Sequence, residues 1–169
     1  MKFVSILALT LVFSAAAFGQ TALRVGSPAP EFNGTDLNGN NVALSDLRGN
    51  VVVVTFWTTR CPICHEEFPK LNQVIRSFDG KKVTFLSLTT DNEERVDAYI
   101  KKNPLVSTII PNSFGIVLQY ADRDKQGNID MGYPAFFIIN RDGNIQYRSS
   151  GYDKTPSLSS TLDRLLSSM

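Results

Sequence analysis

The stretch Val51–Cys64, VVVVTFWTTRCPIC, is an apolar run that ends in two cysteines three positions apart. An apolar run without polar alternation predicts a central strand that is covered on both faces of a sheet. The periodicity of the next residues predicts a helix from Cys61 to about Phe78, so Cys61 lies where this helix begins. At that position the helix dipole stabilises a thiolate, the form of cysteine that attacks disulfides. The stretch therefore predicts an α/β fold with a reactive sulfur after a core strand.

The chain has no other cysteines, which limits what this pair can do. A zinc site of four sulfurs is excluded within one chain because there is no second Cys-x-x-Cys pair. A disulfide between Cys61 and Cys64 closes so short a loop that it stabilises the fold little and stays available for exchange. The pair is therefore predicted to be reactive, and two merely structural cysteines are the alternative.

The N-terminal residues have the pattern of an export signal. Met1-Lys2 carries one positive charge, Phe3–Ala17 is apolar apart from three hydroxyl residues, and Ala17-Phe18-Gly19 offers small residues where a signal peptidase cuts. We therefore expect a cleaved signal peptide at residues 1–19 and a periplasmic or secreted domain at residues 20–169. The apolar segment is short for a membrane span of about 20 residues. If it is not cleaved, it becomes an N-terminal membrane tether.

Charge and length exclude some classes of protein. The full chain has 17 Lys and Arg residues against 16 Asp and Glu residues, and removal of Lys2 with the signal leaves 16 of each. Because there is no basic stripe, the chain is not expected to bind nucleic acid. A mature length of about 150 residues suits one domain with its own core.

The sequence on either side of the cysteines predicts further elements of an α/β fold. The turn residues Leu37-Asn38-Gly39-Asn40 predict a hairpin between Phe32 and Val42 within an otherwise extended N-terminal segment. The helix that begins at the cysteines is expected to kink at Pro69. The later predicted elements are a strand Val83–Leu88, a helix from about Asn92 to Lys102, a short helix Ser113–Ala121, a strand Ala135–Ile139 with a hairpin partner Asn144–Arg148, and a final helix from Thr155-Pro156. This order predicts a mixed sheet with helices on both faces.

Four segments together resemble one protein family. They are Val25–Phe32 (VGSPAPEF), Leu44–Gly49 (LSDLRG), Phe56–Pro69 with its Phe-Trp, Cys-x-x-Cys and Glu-x-Pro elements, and Gly132–Gly143 (GYPAFFIINRDG). In this order they are similar to the TlpA/ResA-like exported thiol-disulfide oxidoreductases, a group related to the AhpC/TSA family. The resemblance implies an α/β thioredoxin-like fold, with a mixed central sheet flanked by helices. It also implies an N-terminal extended or hairpin extension and a helical segment inserted after the βαβ unit.

Three positions depart from the family pattern. Arg60 stands immediately before the first cysteine, where the family usually has Trp, and Pro62 is the first rather than the second residue between the cysteines. Thr55 occupies the position of a buried acid in thioredoxin itself. These positions tune the redox potential, so they leave the direction of electron flow open.

The two cysteines are the predicted catalytic residues and form the predicted redox-active disulfide. Cys61 is the attacking sulfur because the helix N-terminus and the adjacent Arg60 both favour its thiolate. Cys64, one turn further along the helix, then attacks Cys61 and releases the product.

The segment Tyr133-Pro134 is the second predicted part of the site. The resemblance implies a cis peptide bond before Pro134 and a loop that faces the dithiol. It also implies that the backbone of Tyr133 binds substrate. An ordinary proline at the start of a strand is the alternative.

His65 carries two further hypotheses. It lies four residues after Cys61 on the same helical face, where an imidazolium lowers the pKa of the thiol and a neutral imidazole accepts its proton. An exposed histidine with neither role is the alternative. Cys61-x-x-Cys64-His65 is also the attachment pattern of c-type haem, with Met131 as a candidate distal ligand. Metal binding by the same trio is the other non-enzymatic hypothesis, but three ligands on one helical turn form a poor tetrahedral cage. We expect neither a cofactor nor a metal.

Three more residues are predicted to tune the site. The resemblance places Asp91 near the inner cysteine, where it helps to move the proton of Cys64. The sequence Asp91-Asn92-Glu93-Glu94 also fits an N-cap with a capping box, and we expect this capping role. Glu67 matches a family position, although an ordinary place on the helix surface is sufficient to explain it. Trp57 is expected to pack beneath the site.

The predicted function is thiol-disulfide exchange with protein substrates outside the cytoplasm. The resemblance implies reduction of their disulfides as the commoner direction. The resemblance implies a membrane electron donor or acceptor, apocytochromes as clients, and a role in cell redox homeostasis and cytochrome c maturation. A disulfide-forming oxidase is the alternative within the same chemistry. A peroxiredoxin-like peroxidase is a further alternative. Thr58, three residues before Cys61, supports it, and Val54, where that family has proline, opposes it.

Overall fold

The computed structural model describes residues 23–167, and the predicted signal peptide at residues 1–19 lies outside this range. The strands are β1 (Asn33–Thr35), β2 (Asn41–Ala43), β3 (Val51–Trp57), β4 (Val83–Thr89), β5 (Thr108–Ile110), β6 (Asp122–Arg123), β7 (Ile129–Asp130), β8 (Ala135–Ile139) and β9 (Ile145–Ser150). The helices are α1 (Pro62–Ser77), α2 (Glu93–Ile100), α3 (Phe114–Tyr120) and α4 (Thr155–Ser167), with a 3-10 turn at Leu44–Leu47. Within residues 23–167, no helix combines the length and apolar character that a membrane crossing requires.

β3 lies at the centre of a five-stranded sheet with the order β5-β4-β3-β8-β9. β4 runs parallel to β3 and β5 parallel to β4, whereas β8 is antiparallel to β3 and β9 to β8. All seven residues of β3 are buried. The run Val51–Trp57 therefore lacks polar alternation because both of its faces are covered, which confirms the predicted central strand and mixed sheet.

Alternate residues of β3 belong to two cores, one on each face of the sheet. Val53 and Trp57 pack in the first core, which contains both cysteines and the apolar faces of α1 and α4. Val54 and Phe56 pack in the second core with α3 and the N-terminal segment. The dithiol therefore lies on the α1/α4 side of the sheet.

Three hairpin turns share the sequence Asp/Asn-x-x-Gly-Asn: residues 36–40, 124–128 and 140–144. In each turn the side chain of the first residue accepts hydrogen bonds from the N–H groups two and four positions later. The glycine has a φ of 81°, 85° or 88°, a conformation that only glycine adopts without strain. The first and third hairpins confirm the predictions. The middle one, β6–β7, was not predicted because its strands are short and polar.

α1 begins at Pro62, directly after Cys61, and continues to Ser77. Proline fits the first helical position because the N–H that it lacks has no partner there. Pro69 lies within α1 and does not end the helix, and the kink expected there stays a prediction. The helix therefore starts at the carboxyl end of β3 with Cys61 as its N-cap.

The segment between β4 and β8 is less helical than predicted. It contains α2, which ends at Ile100 rather than Lys102, and α3, but also the edge strand β5 and the β6–β7 hairpin. β5 has three residues, Thr108–Ile110, and so short a run has no measurable periodicity. Its three β-branched residues favour a strand, and parallel pairing with β4 makes it the edge of the sheet.

Candidate active site

The two cysteines lie in the turn between β3 and α1. This turn, Thr58–Cys61, is closed by a hydrogen bond from the Cys61 N–H to the Thr58 carbonyl (3.1 Å). Cys61 has an extended backbone, and its Sγ accepts a hydrogen bond from the Cys64 N–H at 3.1 Å. The two sulfurs are at disulfide distance, with 5.3 Å between the Cα atoms. The chain therefore holds the predicted cysteine pair together as a disulfide.

The two cysteines are both buried but differ in how much of each residue reaches the surface. Cys61 keeps 8% of its surface exposed, whereas Cys64 is 0% exposed. Pro62 and Ile63, between them in sequence, are exposed. Cys61 is therefore the more accessible of the two cysteines, and the attacking and resolving roles of the pair stay predictions.

Arg60 and His65 lie on the exposed side of the cysteine pair. The His65 Nε2 is 3.4 Å from the Thr59 carbonyl, and the imidazole packs edge-on against Tyr99 with 4.8 Å between ring centroids. Because a carbonyl only accepts, Nε2 donates this long hydrogen bond. The imidazole is thus oriented by Thr59 and Tyr99, and its effect on the pKa of Cys61 stays a prediction.

The predicted N-cap at Asp91 is wrong by one residue. Asn92 caps α2, and its side chain accepts a hydrogen bond from the Arg95 N–H at 3.1 Å. Asp91 is buried instead, with Arg95 3.8 Å from its Oδ1. Both residue types cap helices well, so only the contacts from the rest of the chain distinguish them.

The Asp91 carboxylate binds the turn that carries Cys61. Its Oδ2 accepts hydrogen bonds from the Thr58 hydroxyl (2.8 Å), the Thr59 N–H (2.7 Å) and the Thr89 hydroxyl (3.2 Å). Burial alone would raise the pKa of Asp91, but these donors outweigh it and hold the pKa below its usual value. Asp91 is therefore an ionised, buried group beside the dithiol turn. Among the described hydrogen bonds none joins it to Cys64, and its role in moving that proton stays a prediction.

Tyr133 and Pro134 lead into β8, and the peptide bond between them is cis, as predicted. Tyr133 is partly buried and packs against both cores, one of which contains the two cysteines. Burial raises the pKa of the Tyr133 phenol, and the negative charge of Asp91 raises it further. The loop before β8, the cysteine pair and Asp91 therefore lie in one region of the molecule.

Glu67 is fully buried in α1 (0% exposed), so the alternative of an ordinary place on the helix surface is wrong. One carboxylate oxygen accepts hydrogen bonds from Lys70 Nζ (2.8 Å) and the Asp153 N–H (3.1 Å), and the other accepts one from the Thr155 hydroxyl (2.7 Å). Burial raises the pKa of Glu67, but these donors outweigh it and lower the pKa below the ordinary value of 4.5. Glu67 thus joins α1 to the first residue of α4.

The sequence contained a signal for this burial. Glu67 lies three residues after Cys64 and four before Leu71, within the apolar stripe of α1. An acid at such a position has to meet donors from another element, because an unpaired buried charge is very costly. The stripe could therefore have identified Glu67 as buried, although not its partners.

Trp57 packs beneath the cysteines, as predicted. It is fully buried, and its indole meets the Phe68 ring at 5.1 Å and the Tyr99 ring at 5.2 Å between centroids. Its Nε1 has no hydrogen-bond partner within the described residues. These aromatic contacts give the N-terminal turns of α1 a rigid support.

The structure bears on the haem, metal and peroxidase hypotheses. Met131, the candidate distal haem ligand, packs against the core on the other face of the sheet from the cysteines. Across residues 23–167 no group of three His, Cys, Asp or Glu side chains is arranged to hold a metal ion. Thr58, the residue that supported the peroxidase hypothesis, donates its hydroxyl hydrogen bond to Asp91.

Comparison with known proteins gives a consistent result. The model of the AhpC/TSA family matches residues 25–148. The thiol-disulfide oxidoreductase ResA of Bacillus thuringiensis is 30% identical over 127 residues, which cover 73% of this chain and 68% of that protein. ResA of Bacillus subtilis is 29% identical over 136 residues, which cover 79% of this chain and 72% of that protein.

Solved structures with the same fold include the thioredoxin domain of a thiol-disulfide oxidoreductase from Bacteroides vulgatus. It has a TM-score of 0.71 at 26% identity and covers 86% of this chain and 99% of its own. A thiol:disulfide interchange protein from Bacteroides sp. has a TM-score of 0.71 at 25% identity, with coverages of 87% and 93%. These similarities confirm the predicted thioredoxin-like fold.

Proposed function

The chain belongs to the AhpC/TSA family and, within it, to the thiol-disulfide oxidoreductases similar to ResA, and from this premise we propose that it reduces disulfides in exported proteins through Cys61 and Cys64. The observation that carries the proposal is the asymmetry of the pair. Cys61 caps α1 and keeps 8% of its surface exposed, whereas Cys64 is fully buried.

The proposed reaction is two successive exchanges of sulfur partners. The Cys61 thiolate attacks one sulfur of the substrate disulfide, forms a mixed disulfide and expels the other sulfur as a thiolate. The Cys64 thiolate then attacks Cys61 Sγ, forms the Cys61–Cys64 disulfide and expels the remaining substrate sulfur. Two electrons pass from the enzyme dithiol to the substrate, and each expelled thiolate takes a proton from solvent. A thiol donor, which we propose is at the membrane, then reduces the enzyme again.

The local geometry supports Cys61 as the nucleophile. The Cys64 N–H donates to Cys61 Sγ, and the dipole of the 16-residue helix α1 has its positive end at this sulfur. Arg60, exposed beside it, adds a positive charge that is screened by solvent. All three effects favour the thiolate over the thiol.

We place the substrate backbone along Tyr133-Pro134, as the resemblance to the family implies. Tyr133 contacts the core that holds both cysteines, so a polypeptide extended along this loop would bring a disulfide to Cys61.

The decisive experiment traps the mixed disulfide. Cys64→Ala should accumulate disulfide-linked adducts between Cys61 and exported proteins, because no second thiol resolves them. Cys61→Ala is the matched control and should form no adducts. If Cys64→Ala traps nothing and Cys61 resists alkylation in the reduced protein, the proposed mechanism is wrong.

The direction of electron flow needs a separate measurement. Dithiol pairs of this kind span about −270 to −120 mV, and a reductase belongs near the lower end. Equilibration of the purified protein with glutathione or dithiothreitol buffers gives the potential. A value near the upper end would assign the protein as a disulfide-forming oxidase.

We also propose that the protein acts outside the cytoplasm, with its N-terminal segment as the signal. Fractionation of cells and protease treatment of intact cells test this location. Recovery with the membrane fraction after a salt wash would indicate that the segment stays attached as a tether. Apocytochromes among the adducts of Cys64→Ala would support a role in cytochrome c maturation.

A further inference from the structure

Asp91 connects the dithiol turn to the rest of the sheet. Its Oδ2 accepts from Thr58 and Thr59, which begin the turn that ends at Cys61. It thus joins two segments that are more than thirty residues apart in sequence.

The Asp91 backbone is itself held on both sides. Its N–H donates to the Thr89 hydroxyl at the end of β4 (3.2 Å), and its carbonyl accepts from the Asn112 N–H after β5 (2.9 Å). The Ser113 N–H donates to the Thr89 carbonyl (2.8 Å) and completes this frame. Since the backbone is anchored to two strands, the carboxylate is a fixed point and not a mobile side chain.

The hydrogen bonds of Asp91 restrain both the backbone and a side chain of the turn. The Thr59 N–H orients the backbone, and the Thr58 hydroxyl fixes a side chain at the end of β3. From that start, the hydrogen bond from the Cys61 N–H to the Thr58 carbonyl sets the position of Cys61 at the N-terminus of α1. The sulfur therefore depends on Asp91 through two intermediate residues.

We propose that Asp91 is a positioning residue for thiol-disulfide exchange: its buried carboxylate clamps Thr58 and Thr59 and thereby holds Cys61 Sγ at the start of α1. The proposal rests on the attack by Cys61 described above. It assigns the function of Asp91 to the hydrogen bonds that its Oδ2 accepts. Movement of the Cys64 proton by the same residue is a different mechanism and is the competing outcome of the test.

The proposal predicts different results for two substitutions of the same residue. In Asp91→Asn the amide oxygen can take the place of Oδ2 and accept from Thr58, Thr59 and Thr89. The amide nitrogen then faces the Arg95 side chain, which is largely exposed and can turn away. Asp91→Asn therefore removes the charge and keeps the clamp, whereas Asp91→Ala removes both.

The experiment measures reduction of a protein disulfide by the full mature domain, together with the pH profile of Cys61 alkylation in the reduced form. Asp91→Ala should lower the rate of reduction about tenfold, which corresponds to about 1.4 kcal/mol of transition-state free energy. Asp91→Asn should stay within about threefold of the wild-type rate. Its alkylation profile should also shift to lower pH, because a negative charge near the thiolate has been removed.

Thr58→Val tests the same clamp without changing the acid. It should lower the rate, as Asp91→Ala does. The double variant should be no slower than Asp91→Ala alone, because Asp91→Ala already removes the Thr58–Asp91 hydrogen bond that Thr58→Val removes. Thr84→Val is the matched control. Thr84 lies in β4 of the same sheet, where it pairs with Val52 and not with the turn, so this variant should keep the wild-type rate. Circular dichroism checks that each variant is folded. If Asp91→Ala does not fold, Thr58→Val provides the test of the clamp.

Each outcome supports or overturns the clamp. If Asp91→Asn is as slow as Asp91→Ala and its pH profile loses an ionisation, proton transfer explains Asp91 and the clamp is wrong. If both variants reduce substrate at the wild-type rate and only lose thermal stability, Asp91 is structural and the clamp is wrong. The proposed function would instead be overturned if the wild-type protein does not exchange disulfides, or if the Cys64→Ala variant forms no adducts.

Discussion

The buried acid of α1 offers a quantitative test of how the fold is held together. Glu67 accepts hydrogen bonds from Lys70, Asp153 and Thr155, and the last two belong to the start of α4 or the loop before it. Glu67→Ala removes the acceptor and leaves the Thr155 hydroxyl and the Asp153 N–H without their partner. Thr155 is itself buried, so water replaces this partner poorly.

The expected cost follows from these contacts. An unsatisfied buried donor costs about 1–3 kcal/mol, and the half-exposed Lys70 adds little. We therefore expect Glu67→Ala to lower the free energy of unfolding by about 2–4 kcal/mol. In Glu67→Gln the amide oxygen accepts from Asp153 and the amide nitrogen donates to the Thr155 hydroxyl. That variant should lose only about 1 kcal/mol.

The pKa of Glu67 adds a pH dependence with a defined sign. Because the folded-state pKa lies below the ordinary value of 4.5, the folded state favours the ionised carboxylate. This contribution to stability is complete above pH 4.5 and is lost as the pH falls through the lower, folded-state pKa. The difference in unfolding free energy between the wild type and Glu67→Gln should therefore shrink as the solution is made more acidic.

Urea unfolding of the oxidised protein between pH 3 and 7 measures both effects. With a urea m-value of about 2 kcal/mol/M, Glu67→Ala should lower the midpoint by about 1–2 M. Glu66→Gln is the matched control. Glu66 is adjacent to Glu67 but exposed, so this substitution should change the unfolding free energy by less than about 0.5 kcal/mol. If Glu67→Ala is no more destabilising than this control, the buried network does not join α1 to α4, and the reasoning is refuted.

Four further predictions concern peroxide turnover, two glycines and the N-terminus. The Thr58 hydroxyl donates its hydrogen bond to the buried Asp91 carboxylate. With a thiol donor, the protein should therefore consume hydrogen peroxide no faster than free cysteine does, and rapid turnover would support the peroxidase alternative. A Cβ at Gly34 would lie 2.6 Å from Ile110 Cγ2, so Gly34→Ala should lower the unfolding free energy by about 1–3 kcal/mol. Gly115 lies in α3 with open space around it, so Gly115→Ala should raise the unfolding free energy by up to about 1 kcal/mol. Equal thermal shifts for Gly34→Ala and Gly115→Ala would contradict these two expectations. Mass spectrometry of the exported protein should show a chain without residues 1–19, and an intact N-terminus would indicate a tether.

Much of the fold was predictable because its main elements have strong local patterns. The run Val51–Trp57 is short and rich in β-branched residues, which favours a buried strand, and the three- and four-residue spacing of the apolar stripe after it favours a helix that begins near Cys61. The turns at residues 36–40 and 140–144 were predictable because a side-chain acceptor and a glycine determine their backbone locally. β5 was missed because three residues carry no such pattern, and a neighbouring strand determines their conformation.

The sequence by itself thus determined the central strand, the helix that follows it and the pairing of two cysteines at their junction, because each depends on residues close together in the chain. Only the tertiary structure decided the roles of the acids. Asp91 was predicted to cap a helix and instead binds Thr58, 33 positions away. Glu67 matched a family position that an ordinary surface site could also explain, and its partner Thr155 lies 88 positions away. The physical reason is that a carboxylate is compatible with a cap, a solvated surface or a buried network. Its environment is set by the donors that distant segments bring to it.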